Sequence, residues 1–188
     1  MQNKVFLLLR RNKKFFTGHV YPRNILLKVK MKTAIFYYSY HHHNTLKLIK
    51  EMITGYDDTD LLDITAEKNG HDLSGYDIIG FASGIYGFET HKTLTEFAEN
   101  FLPEGKPVFF VYTYGLNKGA AAGKLKNVAA YKKAVVLGEY GCKGYDTFGP
   151  FKMVGGIAKN HPDTDDILKS KSFFADILKK AEQFYTTI

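Results

Sequence analysis

The chain has one cysteine, Cys142, in 188 residues, which excludes an internal disulfide framework and a multi-thiolate metal site. It carries no GxxxxGKS/T and no GxGxxG, so two common cradles for nucleotide phosphates are missing. Long apolar runs are missing near the N-terminus as well. Val5 to Leu9 is five residues long and is followed by Arg10 and Arg11, against about seven to fifteen apolar residues for a secretory segment and about twenty for a membrane span. Acidic residues are absent from positions 1–30, where eight basic ones stand, so the formal charge of +7 for the whole chain becomes −1 for residues 31–188. The basic character therefore belongs to an N-terminal arm. Such an arm can serve nucleic acid, acidic lipid or organelle import. The competing reading, adopted here as the expectation, is that residues 1–30 are a basic extension outside the fold, because a clean strand pattern begins at Met31. With 45% hydrophobic and 15% aromatic residues, the remainder can bury one substantial core. A single domain over 31–188 in the cytoplasm is the default.

From Met31 onward short apolar runs alternate with helical stretches. Lys32 to Tyr38, Leu61 to Ile64, Tyr76 to Ala82, Pro107 to Tyr112 and Ala134 to Tyr140 read as strands, short and apolar enough to be covered on both faces. Helices are expected from Asn44, as a cap, to Gly55, over Thr90–Phe101, over 118–130, and from Asp163 or Thr164 to near the end. Five apolar strands joined by helices imply a parallel sheet with helices on both faces, an α/β three-layer arrangement. Ligands of such sheets bind at the carboxyl ends of the strands. The segments to examine are 39–45, 83–90 and 113–119.

In the first segment Ser39, Asn44 and Thr45 offer short polar side chains at a helix start, where unpaired N–H groups and the helix dipole suit a phosphate. The adjacent His41, His42 and His43 raise a metal reading, which the physics disfavours. Metal ligands are usually spaced and oriented by further partners, and no HxxxH spacing occurs here. The second segment, Ser83 to Glu89, combines Gly84 and Gly87 with Tyr86 and Phe88, and the third repeats the pattern with Thr113, Tyr114 and Gly115. Tyr86 and Tyr114 suit a flat ring stacked between them; Phe88 reads better as an aromatic closing the sheet's end.

These motifs resemble the flavodoxin family, specifically a short bacterial group with YYSYHH-x-NT after the first strand, GFASGIYG after the third and CKGYDTFGPFK-x-x-GGI after the fifth. The resemblance spans 31–188 and implies a flavodoxin-like three-layer sandwich with a five-stranded parallel sheet of order 2-1-3-4-5, with FMN as cofactor. It implies that Ser39, His41, His43, Asn44 and Thr45 form the phosphate loop. Ser83, Gly84, Ile85, Tyr86 and Gly87, with Thr113, Tyr114 and Gly115, would border the isoalloxazine, and Gly87 would supply a peptide that flips beside it. Two departures stand out. His43 occupies the position before Asn-Thr where the family usually has glycine, which requires a φ that histidine tolerates better than most residues. The body charge of −1 also lacks the acidic field that steers electron-carrier flavodoxins to basic partners.

The expectation is an FMN-binding redox protein that passes electrons to a redox partner protein or works with an NAD(P)H-linked reductase. No side chain acts as acid, base or nucleophile, and no metal, nucleic acid or membrane is involved. The alternative is an FMN-dependent NAD(P)H:quinone or small-molecule oxidoreductase. A third reading makes the basic arm the working part, anchoring nucleic acid or membrane. The glycine- and aromatic-rich stretch 141–151 is expected to cover the flavin, shape a partner site or pack on the sheet. Cys142 is expected to be buried and structural rather than redox-active.

Overall fold

The computed structural model describes residues 30–66 and 72–187. The basic arm, residues 1–29, lies outside the described residues; Lys30 is described and pairs with Asp58 at 2.6 Å. The strands are β1 (Thr33–Tyr38), β2 (Thr59–Asp63), β3 (Ile78–Tyr86), β4 (Glu89–Thr90), β5 (Pro107–Tyr114) and β6 (Val135–Lys143). The helices are α1 (Asn44–Met52), α2 (Lys92–Phe101), α3 (Gly123–Tyr131) and α4 (Thr164–Thr187), with 3-10 turns at Leu73–Gly75 and Gly149–Val154.

The principal sheet is parallel and flavodoxin-like, but it has six strands, not the expected five. Its order is β2-β1-β3-β5-β6, with β4 paired antiparallel to the end of β3. The extra strand comes from a two-residue reversal at Gly87 and Phe88, both at positive φ (59° and 74°), as a tight two-residue hairpin demands. A phenylalanine gives no sequence signal for this backbone, because bulky residues rarely adopt it. β3 and β5 also run further than their apolar patterns suggest. Ser83 pairs with Tyr112 and Gly84 with Thr113, which carries polar residues to the strand tips.

Alternation along the strands divides the core into two layers. Ala34, Phe36, Ile79, Phe81, Val108 and Phe110 face α2 and α3. Ile35, Ile78, Ala82, Phe109 and Val111 face α1 and α4, where Leu48, Ile49 and Met52 meet Phe174, Ile177 and Ala181. Truncating any one of the fully buried phenylalanines would remove about 3–5 kcal/mol of stability. Because β1, β3 and β5 are covered on both faces, the free ends of the strands are the places left for a site.

Gly80 shows how closely the middle is packed. A Cβ there would overlap the ring of Phe109, which is itself fully buried. Gly80→Ala is expected to destabilise the fold by about 1–3 kcal/mol through overpacking, measured by urea unfolding. An unchanged or raised midpoint would mean that the core relaxes around the methyl group.

Candidate functional site

The carboxyl ends of β1, β3 and β5 enclose a cleft of about 690 Å³, counting the part open to solvent. It is lined by Ser39, His41, Asn44, Thr45, Gly84, Ile85, Tyr86, Gly87, Thr113, Tyr114 and Gly115, joined by Gly144, Tyr145, Asp146 and Phe148. The three segments named from sequence thus converge on one place. His43 and Ser83 do not line it. Ser83 is buried and spends its hydroxyl on the chain, donating to the Gly84 carbonyl at 2.7 Å and accepting the His91 N–H at 3.1 Å.

The polar side of the cleft is the start of α1. His42 and His43 both adopt positive φ (53° and 51°), so the chain turns sharply from β1 into the helix. His43, not Asn44, occupies the N-cap position and makes no side-chain cap; its Nδ1 instead donates to the Ser39 carbonyl at 2.9 Å. The capping role passes to the Ser39 hydroxyl, which accepts the Leu46 N–H at 3.2 Å. Lys47 N–H bonds the His43 carbonyl. Among the described residues the N–H groups of Asn44 and Thr45 have no protein acceptor, as is usual in a first helical turn. Buried beside them, the Thr45 and Thr113 hydroxyls share one hydrogen bond of 2.8 Å. A shared bond uses one hydroxyl hydrogen and leaves the other free to donate.

Opposite lies an aromatic wall. Tyr38 stacks on His91 with centroids 3.7 Å apart and planes 5° from parallel, and Tyr86 meets both rings edge-on. The Tyr86 hydroxyl accepts the Tyr40 N–H at 3.4 Å. Burial raises the Tyr86 phenol above the usual tyrosine range, outweighing the N–H groups of Tyr40 and His41. Burial also lowers the His91 pKa, with Lys92 acting in the same direction, so the stacked imidazole is held neutral.

The segment after β6, expected to cover the flavin, shape a partner site or pack on the sheet, closes the third side. Asn44 reaches across to donate to the Tyr145 carbonyl at 2.7 Å, and the His42 and Thr147 side chains meet at 2.8 Å. Asp146 Oδ1 accepts the Phe148 N–H at 2.7 Å, an Asx turn that aims Phe148 at the cleft. Glycine is required at two crossings, since a Cβ on Gly144 would meet Asn44 and one on Gly115 would collide with Asp146. The signal for these residues was the Asp-Thr-Phe-Gly-Pro turn chemistry inside a long loop.

The three histidines point in three directions: His41 into the cleft, His42 to Thr147 and His43 to Ser39. Among the described residues the group able to converge on a metal is instead His161, Asp163 and Asp166. Its carboxylates are already used at the start of α4: Asp163 Oδ1 accepts the Asp166 N–H at 2.9 Å and Asp166 Oδ2 the Asp163 N–H at 3.1 Å. Cys142 is buried, and burial, followed by Asp166 and Asp163, pushes its thiol well above the ordinary range. It is a packing residue.

The parallel sheet with a polar helix start and an aromatic wall at its switch point defines a flavodoxin-like α/β protein. Three solved structures share the fold. A flavodoxin from the domain Archaea is 17% identical with a TM-score of 0.57, covering 81% of this chain and 99% of that one. Flavodoxin 1 from Bacillus cereus is 16% identical with a TM-score of 0.57, covering 78% and 97%. An NADPH-quinone reductase from P. pentosaceus is 15% identical with a TM-score of 0.55, covering 76% and 97%. The chain belongs to the same family as the uncharacterized protein MJ0298 of Methanocaldococcus jannaschii, 40% identical over 152 residues, with 79% of this chain and 99% of that protein covered. No protein-family model matches it.

The Cys142 thiol has its folded-state pKa above the unfolded value, so it favours the folded state less as pH rises past about 8.5, where a free thiol ionises. Unfolding free energy is expected to be independent of this group below that pH and to decline above it, and Cys142→Ala should remove that part of the decline. Urea titrations of both proteins between about pH 7 and 10 test this; identical slopes would contradict a buried, protonated thiol.

Proposed function

We propose that the cleft binds FMN and that the protein is a redox carrier, taking up electrons and passing them to a protein partner. The observation that carries this reading is the α1 start. Two N–H groups without protein acceptors, at Asn44 and Thr45, adjoin a hydroxyl pair with one hydrogen to donate. That donor set fits an acceptor-only oxyanion such as a phosphate monoester. Ser39 and His41 complete this end, while Gly84 to Gly87 and Thr113 to Gly115 supply backbone and tyrosine faces for a flat ring at the other.

A bound flavin supplies one- and two-electron chemistry. The chain's residues bind and orient it. Thr45, Thr113 and the α1 N–H groups hold the phosphate end, Tyr86 and Tyr114 flank the ring, and the Asp146–Phe148 turn limits water at the rim. Gly87, at positive φ beside the cleft, supplies the peptide next to the ring.

A second reading, an FMN-dependent NAD(P)H:quinone or small-molecule oxidoreductase, has a neighbouring polar cleft to draw on, which shares Tyr86 and Gly87 and is lined by His91, Lys92 and Lys124 with Glu89, Glu96 and Glu99. Steady NAD(P)H oxidation by the FMN-loaded protein would support the reductase; a strict need for a separate reductase would support the carrier.

The purified chain is expected to show a flavin absorption spectrum, or to acquire it with added FMN at about one per chain. Thr45→Val should weaken FMN binding about tenfold, the equivalent of one hydrogen bond to a charged group, read from quenching of flavin fluorescence. A protein that remains colourless in excess FMN would overturn the cofactor assignment, and an unchanged affinity in the variant would overturn the role of Thr45.

A further inference from the structure

Among the described residues two buried side-chain oxygens have no hydrogen-bond partner, Thr90 Oγ1 at the end of β4 and Thr95 Oγ1 near the start of α2. Thr90 is 5% exposed and Thr95 9%. A helical threonine often bonds the carbonyl four residues back; Thr95 does not. An unpaired buried hydroxyl costs folding free energy, and both threonines line one pocket, formed by β4, α2 and the start of α3. It holds about 840 Å³, counting the part open to solvent, and one water, at about 30 Å³, does not fill it. Tyr86 and Gly87 line both this pocket and the cofactor cleft. A step about χ1 exchanges a threonine's hydroxyl with its methyl group, so each hydroxyl can turn to meet an occupant.

The wall limits the charge of that occupant. Lys124 is spent on Glu89 at 2.6 Å. Lys92, Glu96 and Glu99 are exposed and have no ion-pair partner among the described residues. His91 is neutral, and its Nδ1 accepts the Thr93 N–H at 3.4 Å, which leaves the ring hydrogen on Nε2 as a donor. An anion here would face Glu96 and Glu99, while a cation would face Lys92 and the positive start of α2. A neutral ligand whose groups both donate and accept meets every part of the wall. A hydroxyl does both. Two carboxylates one turn apart suit two hydroxyls on adjacent carbons, and acidic side chains hold ribose hydroxyls in dinucleotide folds by the same bond. Tyr86 adds apolar surface for the C–H side of a sugar ring.

We propose that this pocket binds a neutral vicinal diol of the kind a pentose presents, with Glu96 and Glu99 accepting from the diol and Thr90 and Thr95 completing its hydrogen bonds. A free pentose and the ribose of a nucleoside share this chemistry. The inference does not rest on the flavin reading, since Thr90, Thr95, Glu96 and Glu99 take no part in the cofactor cleft.

The test titrates the full-length, FMN-supplemented chain with adenosine, 2′-deoxyadenosine and D-ribose, following the amide resonances of Thr90, Thr95 and Glu96. Adenosine is expected to move them saturably, and 2′-deoxyadenosine to bind about tenfold more weakly, the equivalent of one hydrogen bond to a charged group. D-ribose as tight as adenosine identifies a free sugar as the source, and a much weaker D-ribose identifies a nucleoside. E96Q/E99Q should weaken adenosine about tenfold or more without moving the urea midpoint. T90V/T95V should weaken it too while raising the midpoint, because two unpaired hydroxyls leave the interior. A midpoint lowered by T90V/T95V would show that the hydroxyls serve the fold and would overturn the proposal. Equal binding of the two nucleosides, tighter binding of putrescine or inorganic phosphate, or shifts at Asn44 and Thr45 in place of these would overturn it as well. Flavin uptake is read from absorbance of the same samples, so a chain that takes up no FMN sinks the flavin reading alone.

Discussion

The central strands β1, β3 and β5 are buried on both faces, and that burial governs where everything else can go. Parallel neighbours cannot be joined by tight turns, so each connection crosses over a face and deposits a helix there. The two helix layers close over Phe36, Phe81 and Phe110 on one side and Ile35 and Phe109 on the other. Strand order reverses between β1 and β3, and the loops leaving their carboxyl ends part company at that point. The cleft is the gap left by this divergence, and the α1 start opens into it because every crossover helix begins at this end of the sheet.

Closing the gap without filling it requires loop backbones in unusual conformations. Ten of the thirteen described residues at positive φ, among them His42, His43, Gly87, Phe88, Gly119 and Ala121, lie in the loops at this end. The conformations persist because side chains brace them across long sequence separations: Asn44 to Tyr145, His42 to Thr147, Thr45 to Thr113.

Much of the architecture was legible in the residues. Buried parallel strands carry continuous apolar runs, and amphipathic stretches with Leu48, Ile49 and Met52 or Phe174, Ile177 and Ala181 on one stripe announce the helices that cover them. Eleven of the thirteen expected cleft residues line it, because strand ends and loop composition place a site in this topology. What escaped was settled by contacts distant in sequence. β4 exists because Phe88 accepts an unfavourable backbone against Gly119. Ser83 turns away because the N–H of His91 claims its hydroxyl. His43, placed in a phosphate loop by resemblance, serves the carbonyl of Ser39 instead.

Sequence alone determined the layer order and the end of the sheet that carries the site, since these follow from apolar periodicity and the rules of chain crossover. Tertiary structure alone decided which polar groups face the cleft and how the loop after β6 completes it. Such choices depend on which donor finds which acceptor once the strands are in register, and hydrogen-bond partners a hundred residues apart leave no periodic trace in the chain.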